Sequence, residues 1–260
     1  MSGAARVVRR AVLFVALPIV LLVTWWFASA NSTEFFQPPL KTIFEFLPET
    51  WSSLIRRSGD SLSRLFIGYL LAVAVGIGLG VLIGSIRWLR ALTEPVLEFL
   101  RAIPPPVLIP IIMLFAGIED LLKILIIFSG CVWPVLLNTV EGVRAVDEVL
   151  VDTCRSYRVR GGLRLRRVVL RSASPQIMTG ARQALAIAII LMVISEMFAA
   201  RTGIGFSIIE FQRGFQIPEM WAGVFFLGLL GIILSLLFWL VERRVLAWYH
   251  GVRAAERGAR

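Results

Sequence analysis

Residues able to do chemistry are few in this chain, and many of them lie in one arginine-rich segment. Eight arginines occur between Arg144 and Arg171. Apolar stretches long enough to cross a membrane flank this segment, so it must lie in water. Basic residues concentrate on the cytoplasmic side of membrane proteins. The segment therefore predicts an exposed cytoplasmic surface on which a soluble partner docks.

Enzymatic chemistry has little support from the residue types present. The one histidine, His250, lies in a basic tail, which argues against a histidine-based triad and a His/Cys metal cluster. Gly84 is followed by Ser85 and not by the lysine of a phosphate-binding loop, so no nucleotide site is indicated. The two cysteines, Cys131 and Cys154, give no disulfide framework. We expect a non-catalytic chain that itself binds no cofactor and no metal.

The composition is that of an integral membrane protein. Of 260 residues, 58% are hydrophobic and 17% are charged, and the mean hydropathy is +0.82. A soluble domain of this size cannot bury so much apolar surface, so lipid must cover much of it. The net charge of +10 comes from arginines beside apolar segments, which membrane topology explains better than a nucleic-acid partner does.

Six apolar segments predict an all-α membrane protein with one transmembrane domain over residues 1–260. The first segment follows basic residues as a secretory signal does, but it is long and lacks a clear cleavage site, so we interpret it as a retained span. The predicted spans are residues 11–30, 65–86, 102–118, 124–140, 177–200 and 221–241.

Prolines and a polar stretch predict departures from regular spans. The third segment begins with Pro104, Pro105 and Pro106, so we expect an irregular entry followed by helix from about Val107. Between the first two spans, residues 41–57 are expected to form a short interfacial helix with Trp51 at the lipid boundary.

The distribution of basic residues predicts the orientation. With the N-terminus inside, the segments assigned to the cytoplasm hold 20 of the 27 lysines and arginines. Both termini and the loop of residues 141–176 are therefore expected in the cytoplasm.

Three glycines in the second predicted span recur at every fourth residue: Gly76, Gly80 and Gly84. On a helix they stack on one face and let another backbone approach closely. This pattern is compatible with ordinary helix packing and with a hinge or tight crossing in a moving core.

Glu196 is the one carboxylate inside a predicted span. Ionisable groups in a membrane face protein or a water-filled cavity. The residue could line a solute path, or it could anchor the outer end of the fifth span through hydrogen bonds. In the second case, Glu196→Gln is expected to keep most activity.

The arginine-rich loop resembles the EAA loop of bacterial ATP-binding-cassette importer permeases. That motif reads Glu-Ala-Ala, three residues, glycine, and then a helix that runs into a proline-containing segment. Asp152, Thr153 and Cys154 occupy the Glu-Ala-Ala positions, and Arg158 occupies the glycine position. Because arginine replaces that glycine, the turn is expected to move to Gly161–Gly162.

Other positions extend the resemblance over about residues 40 to 245. Pro175 and Gly180 match the motif, whereas Arg171 replaces a common proline. Residues 101–150, which begin RAIPPPVLIPIIMLF, and residues 201–231, which begin RTGIGFSIIEF, resemble the branch that imports aliphatic sulfonates, taurine and nitrate. That branch usually has a glutamate at the position of Glu196.

The resemblance implies a permease subunit of the inner or plasma membrane that moves a small anion inward by alternating access. It implies a homodimer in lipid, two separate ATPase subunits that carry ATP and Mg²⁺, and an external solute-binding protein. The implied coupling residues are Asp152, Thr153, Cys154, Tyr157, Arg158, Gly161, Gly162, Pro175 and Gly180. Candidate path residues are Met113, Ser129, Asn138, Ser195 and Glu196.

Within the coupling loop, residues 152–171 are expected to form two short helices broken near Gly161–Gly162. Tyr157 would be an anchor in a groove of the ATPase, with Arg164 at an exposed rim.

The alternative function is a secondary transporter or channel without an ATPase, which predicts paired carboxylates or broken helices in two matching repeats. A membrane-anchored scaffold would leave the glycine and proline features unexplained.

Overall fold

A computed structural model describes residues 3–30, 32–159, 161–249 and 251, which form helices and connecting segments with no strand among them. A 3₁₀ turn, Pro105–Leu108, precedes α4, and a π-helical turn, Leu165–Val169, joins α7 to α8. The predicted all-α class is confirmed. The helices are α1 Gly3–Ser29, α2 Leu40–Ser85, α3 Arg87–Arg101, α4 Ile109–Ala116, α5 Asp120–Arg144, α6 Glu148–Ser156, α7 Gly161–Arg164, α8 Leu170–Ala199, α9 Ile204–Arg213 and α10 Ile217–Val245.

Four helical stretches in the described part of the chain are long and apolar enough to cross a membrane. They coincide with the second, fourth, fifth and sixth predicted spans. The first predicted span falls on α1, whose apolar described part is Ala16–Ser29. The total of six spans stays a prediction. The four stretches are Leu40–Ser85, Asp120–Arg144, Gly161–Ala199 and Ile217–Val245.

The proline-rich third segment is broken, as its sequence predicts. Pro104 is extended, with φ −64° and ψ 123°, and the 3₁₀ turn follows it. The α-helix proper starts at Ile109 and has eight residues, about 12 Å in length. The irregular entry predicted from the prolines is confirmed, and a membrane span over residues 102–118 stays a prediction. Helix α3 and the segment Pro105–Ala116 together form a candidate broken span bent by 83°.

The polar stretch before the second span is not a separate interfacial helix, contrary to expectation. Residues 41–57 are the first part of α2, which runs on without a break for 46 residues. Nothing between Arg57 and Leu65 ends a helix strongly, because Gly59 alone costs only about 1 kcal/mol. Continuing a helix is also easier than ending it and nucleating another.

The chain divides into two compact units, the first comprising Met1–Arg56 and Ser207–Leu227. Aromatic side chains hold this unit together. The Trp25 ring lies 5.3 Å from that of Trp221 and 5.6 Å from that of Phe225. The Trp221 indole N–H donates to the carbonyl oxygen of Phe36 at 3.2 Å. These half-buried rings stabilise the unit through the apolar surface they bury and through their mutual contacts.

The second unit comprises Arg57–Phe206 and Gly228–Arg260, and α5 lies at its centre. The stacked glycines of α2 pack on α5: a Cβ atom added at Gly76, Gly80 or Gly84 would lie 2.8, 2.6 or 2.9 Å from the Cβ of Val135, Thr139 or Val143. Such close approach requires glycine and supports the packing interpretation. The neighbouring Gly78 has no atom within 4 Å of that position.

Helix α8 packs on another face of α5 at equally close range. A Cβ atom at Gly180 would lie 2.6 Å from the Pro134 carbonyl oxygen and 2.8 Å from Asn138 Cβ. The Cys131 thiol donates to the Ala184 carbonyl oxygen at 3.2 Å. Pro175 also lies inside α8. The expected assignment of Pro175 and Gly180 to a coupling loop therefore needs correction, because both lie in the long helix and Gly180 contacts α5.

Candidate functional site

A cleft with a volume of about 550 Å³ lies between α5, α8 and the proline segment that follows α3. Its wall is mainly apolar and includes Ile187, Ile190 and Ile194 from successive turns of α8. Two amide side chains form a polar patch on this wall. There, Asn138 Nδ2 donates to Gln183 Oε1 at 3.3 Å. The remaining lining residues are Arg101, Ile103, Pro105, Pro106, Gly130, Trp133, Pro134, Leu137 and Leu191.

Of the predicted path residues, Asn138 lies on the described wall of this cleft. The Ser129 and Ser195 hydroxyls donate back to the carbonyl oxygens of Ile126 and Met192 in their own helices, at 2.8 and 2.9 Å. Ser195 is buried. Met113 lies on α4, half-buried and outside this wall. The structure does not bring these residues together in one cavity, so their role in a path stays a prediction.

Glu196 lies in a different place, in a buried ion pair with Arg64 of α2. The two side chains are 0% and 6% exposed, and Arg64 Nη1 lies 2.9 Å from Glu196 Oε1. The other carboxylate oxygen accepts from the Ser61 hydroxyl and from the Gly205 backbone N–H, both at 2.9 Å. All three contacts of the carboxylate are therefore with donors.

Arg64 extends this network to the segment before α9 and to the start of α5. Its Nη1 and Nη2 donate to the carbonyl and hydroxyl oxygens of Thr202, at 2.9 and 3.0 Å. Its Nε donates to Asp120 Oδ1 at 2.8 Å. The network joins α2, α5, α8 and the chain before α9, which favours the structural interpretation of Glu196.

Arg64 is a buried, structurally important residue that the sequence interpretation missed. The available signal was its position immediately before the second span, on the predicted outer side, where basic residues are rare. Such an arginine is expected to have a specific partner, and Glu196 is the carboxylate available at the outer end of a span.

The loop between α5 and α8 carries a short helix, α6, with both ends fixed. At its start, the Val149 N–H donates to Asp147 Oδ1 at 2.7 Å, which is an N-cap bond. At its end, the Val159 N–H donates to the Cys154 carbonyl oxygen at 2.8 Å, with Arg158 between them at φ +55°. This six-to-one bond around a left-handed residue is a Schellman motif.

The sequence predicts that the turn moves to the double glycine. In the structure the turn stays at the motif position, Arg158, and does not move wholly to that glycine pair. Arg158 adopts the left-handed conformation that glycine would adopt there. Gly161, at φ +62°, supplies a second left-handed residue, and Gly162 begins the next helix with it. Because α7 continues through the π-helical turn into α8, one short helix is present where two were expected.

Helix α6 and the residue after it expose apolar and aromatic side chains beside polar ones. Val149 and Tyr157 are 72% and 80% exposed, and Leu150 is also exposed. Of the motif residues, Asp152 and Thr153 are exposed and Cys154 is buried beneath the helix. Arg164 is half-buried on the wall of a groove that Asp152 also lines, so its predicted position at an exposed rim is wrong. Arg166 is exposed.

Arg158→Gly is expected to stabilise the end of α6 by about 1 kcal/mol, because arginine is strained in a left-handed conformation and glycine is not. Hydrogen exchange of the Val159 amide, which is bonded across the turn, measures this effect. Protection should increase in the glycine variant. If the Val159 amide exchanged at the same rate in both proteins, or faster in the glycine variant, the assigned turn would be contradicted.

No three His, Cys, Asp or Glu side chains in the described part of the chain come together in a way that could hold a metal ion. The described geometry instead offers an apolar cleft with a polar site, a buried ion-pair network and an exposed capped helix. Such features suit a protein that moves a solute and transmits a conformational change better than they suit an enzyme.

Comparison with known proteins identifies the class. Residues 72–247, more than half of the chain, match the family described as binding-protein-dependent transport system inner membrane component. The chain belongs to this family and is a multi-pass membrane permease subunit. This assignment favours the importer over the secondary transporter, channel and scaffold alternatives.

Individual relatives agree with the family. The chain is 30% identical over 188 residues to the putative aliphatic sulfonates transport permease protein SsuC of Bacillus subtilis, covering 72% of this chain and 68% of the relative. It is 27% identical over 254 residues to the taurine transport system permease protein TauC of Escherichia coli, covering 94% and 92%. The solved MetNI methionine ABC transporter in an inward-facing conformation shares the fold, with a TM-score of 0.63, 19% identity, and coverage of 76% of this chain and 98% of that chain.

Proposed function

We propose that this chain is the non-catalytic translocation subunit of an ATP-driven importer for a small anion of the sulfonate, taurine or nitrate class. It works as a homodimer with two ATPase subunits, which bind ATP and Mg²⁺, and with an external solute-binding protein. The observation that carries the proposal is α6, a capped helix that exposes apolar side chains to water on an otherwise basic loop.

The capping of α6 suits it to transmit force. A helix of nine residues is too short to be stable by itself, and the bonds at Asp147 and around Arg158 compensate for this. Helix α7 continues through the π-helical turn into α8, so movement at this end of the loop would be passed into a membrane span. ATP-driven closure of the ATPases would move α6 and, through it, α8 relative to α5.

The cleft between α5 and α8 is the proposed segment of the path. It faces away from the close α2–α5 contact, and a second copy of the chain would complete its open side. Relative movement of α5 and α8 would open or close such a cleft, which is what alternating access requires.

The distribution of basic residues supports the orientation. The exposed arginines of the α6–α8 connection support a cytoplasmic location for this loop and, with it, for both termini. The Arg64–Glu196 network then lies toward the outer face, about midway along α2 and near the C-terminal end of α8.

The solute class rests on relatives and on the cleft. The named sulfonate and taurine permeases carry sulfonate-bearing solutes, and the cleft here has amide and guanidinium donors on an apolar wall. Such a wall suits a small molecule with an apolar part and an oxyanion.

Tyr157→Ala is expected to release the ATPase or to uncouple ATP hydrolysis from transport, while the permease remains folded. Truncating an aromatic anchor in a desolvated pocket costs about 2 kcal/mol or more, whereas an exposed rim arginine contributes little. Arg166→Ala is the matched control. The measurements are copurification of the ATPase and solute-stimulated hydrolysis in nanodiscs. Full binding and stimulation in the Tyr157 variant would show that docking uses other residues.

A further inference from the structure

The cleft between α5 and α8 has one charged residue among its described lining, Arg101 at the C-terminal end of α3. The chain after it enters the proline segment, which forms another part of the same wall. Sequence position alone places Arg101 at the cytoplasmic edge of the third segment. The structure also brings it to the wall of a cleft that contains Asn138 and Gln183.

Arg101 is held in place by a neighbouring carboxylate. Its Nη2 lies 2.5 Å from Glu98 Oε2, one turn earlier on α3, and both side chains are about half exposed. A pair this exposed contributes at most about 1 kcal/mol to stability. Because the pair is exposed and weak, another anion can displace the Glu98 carboxylate from the Arg101 guanidinium.

We propose that Arg101 attracts and orients the oxyanion group of the solute in the cleft, with Glu98 as the internal anion that the solute displaces. This inference rests on the proposed function and specifies the residue that recognises the charge. The guanidinium fork presents paired N–H donors that match a sulfonate or similar oxyanion. The Gln183 amide nitrogen supplies a further donor on the same wall, whereas the Asn138 amide nitrogen already donates to the Pro134 and Gln183 oxygens. The isoleucines of α8 contact the apolar part of the solute.

The exchange with Glu98 also explains how an anion can leave. A guanidinium alone in an apolar wall would hold its ligand strongly, and a transport path requires weak and reversible binding. Return of the Glu98 carboxylate compensates the charge of Arg101 when the solute departs. Glu98 is therefore expected to weaken anion binding, while Arg101 strengthens it.

The test measures the electrostatic potential of the cleft without reference to the natural solute. Asn138→Cys introduces a thiol into the wall, in the complete complex with the ATPase. Its modification rates are compared for two methanethiosulfonate reagents, one ending in a sulfonate and one in a trimethylammonium group. The native thiols of Cys131 and Cys154 are buried, and the unsubstituted complex gives their background rate.

The rate ratio of the anionic to the cationic reagent is expected to fall at least about tenfold in Arg101→Gln. It should rise in Glu98→Gln, and Arg101→Lys should keep most of the preference. Changes of opposite sign from two neighbouring residues of similar size would not follow from a general loss of structure. An unchanged ratio in Arg101→Gln would overturn the inference.

Uptake of taurine and ethanesulfonate by cells separates this inference from the proposed function. If the natural chain takes up a sulfonate, Arg101→Gln should reduce uptake at least about tenfold, while Arg101→Lys retains more. Sulfonate uptake that is equal in Arg101→Gln would overturn the inference and leave the function standing. If the natural chain transports neither compound but the reagent ratios change as expected, the assigned solute class is wrong and the role of Arg101 is supported.

Discussion

Glu196→Leu is expected to abolish most production of folded protein. The substitution removes the acceptor for three donors and leaves the Arg64 guanidinium, 6% exposed, without its buried counter-ion. Breaking a buried pair by removing one partner costs about 3–5 kcal/mol. That is a large part of the 5–15 kcal/mol that stabilises a typical protein. The yield of monodisperse protein in detergent and its thermal midpoint measure the effect.

Two further variants test whether the charge is the cause. Replacing both partners in Arg64→Leu/Glu196→Leu should recover part of the loss, because no buried charge remains uncompensated. Glu141→Gln is the matched control, since the Glu141–Arg144 pair spans 3.5 Å on an exposed surface and should contribute 0–1 kcal/mol. A Glu196→Leu variant with the yield and thermal midpoint of the natural chain would refute a structural role.

The structure also changes the expectation for Glu196→Gln. From the sequence, an amide at this position should preserve shape and hydrogen bonding. However, Arg64 faces one carboxylate oxygen, and the Ser61 hydroxyl and Gly205 N–H face the other. The amide NH₂ must therefore meet a donor in either orientation, which leaves at least one group unpaired. We now expect an intermediate loss of stability, of about 1–3 kcal/mol.

The sequence was sufficient to predict the helical class, the arginine-rich loop and the close packing of the glycines. Each depends on composition or on a regular spacing within one helix, and both are visible in a single chain. The glycine spacing even predicts the geometry of contact, because residues four apart must lie on one face. It cannot identify the partner, which proved to be α5.

Features that depend on contacts distant in sequence could not be predicted. Arg64 and Glu196 are 132 positions apart, and nothing local links them. Conformational preference alone predicts the turn after α6 at Gly161–Gly162. In the structure the backbone bond from Val159 to Cys154 fixes the end of the helix and imposes the left-handed conformation on Arg158. A satisfied hydrogen bond at a helix end outweighs an unfavourable preference of about 1 kcal/mol.

Gly80→Val is expected to separate α2 from α5 and to reduce the yield of folded protein strongly. Even the first added carbon would lie 2.6 Å from Thr139 Cβ and 2.9 Å from the Leu136 carbonyl oxygen. The second contact is with the helix backbone, so a side-chain rotation cannot relieve it, and the cost should exceed the 1–3 kcal/mol that is typical of overpacking.

Gly78→Val is the matched control for this contact. It makes the same chemical change two residues away on the same helix, where nothing lies within 4 Å of the added carbon. Valine is also a slightly better helix former than glycine, so this variant should be neutral or slightly stabilised. The thermal midpoints of the two variants in the same detergent provide the comparison. Equal midpoints would mean that α2 and α5 are not held together at Gly80.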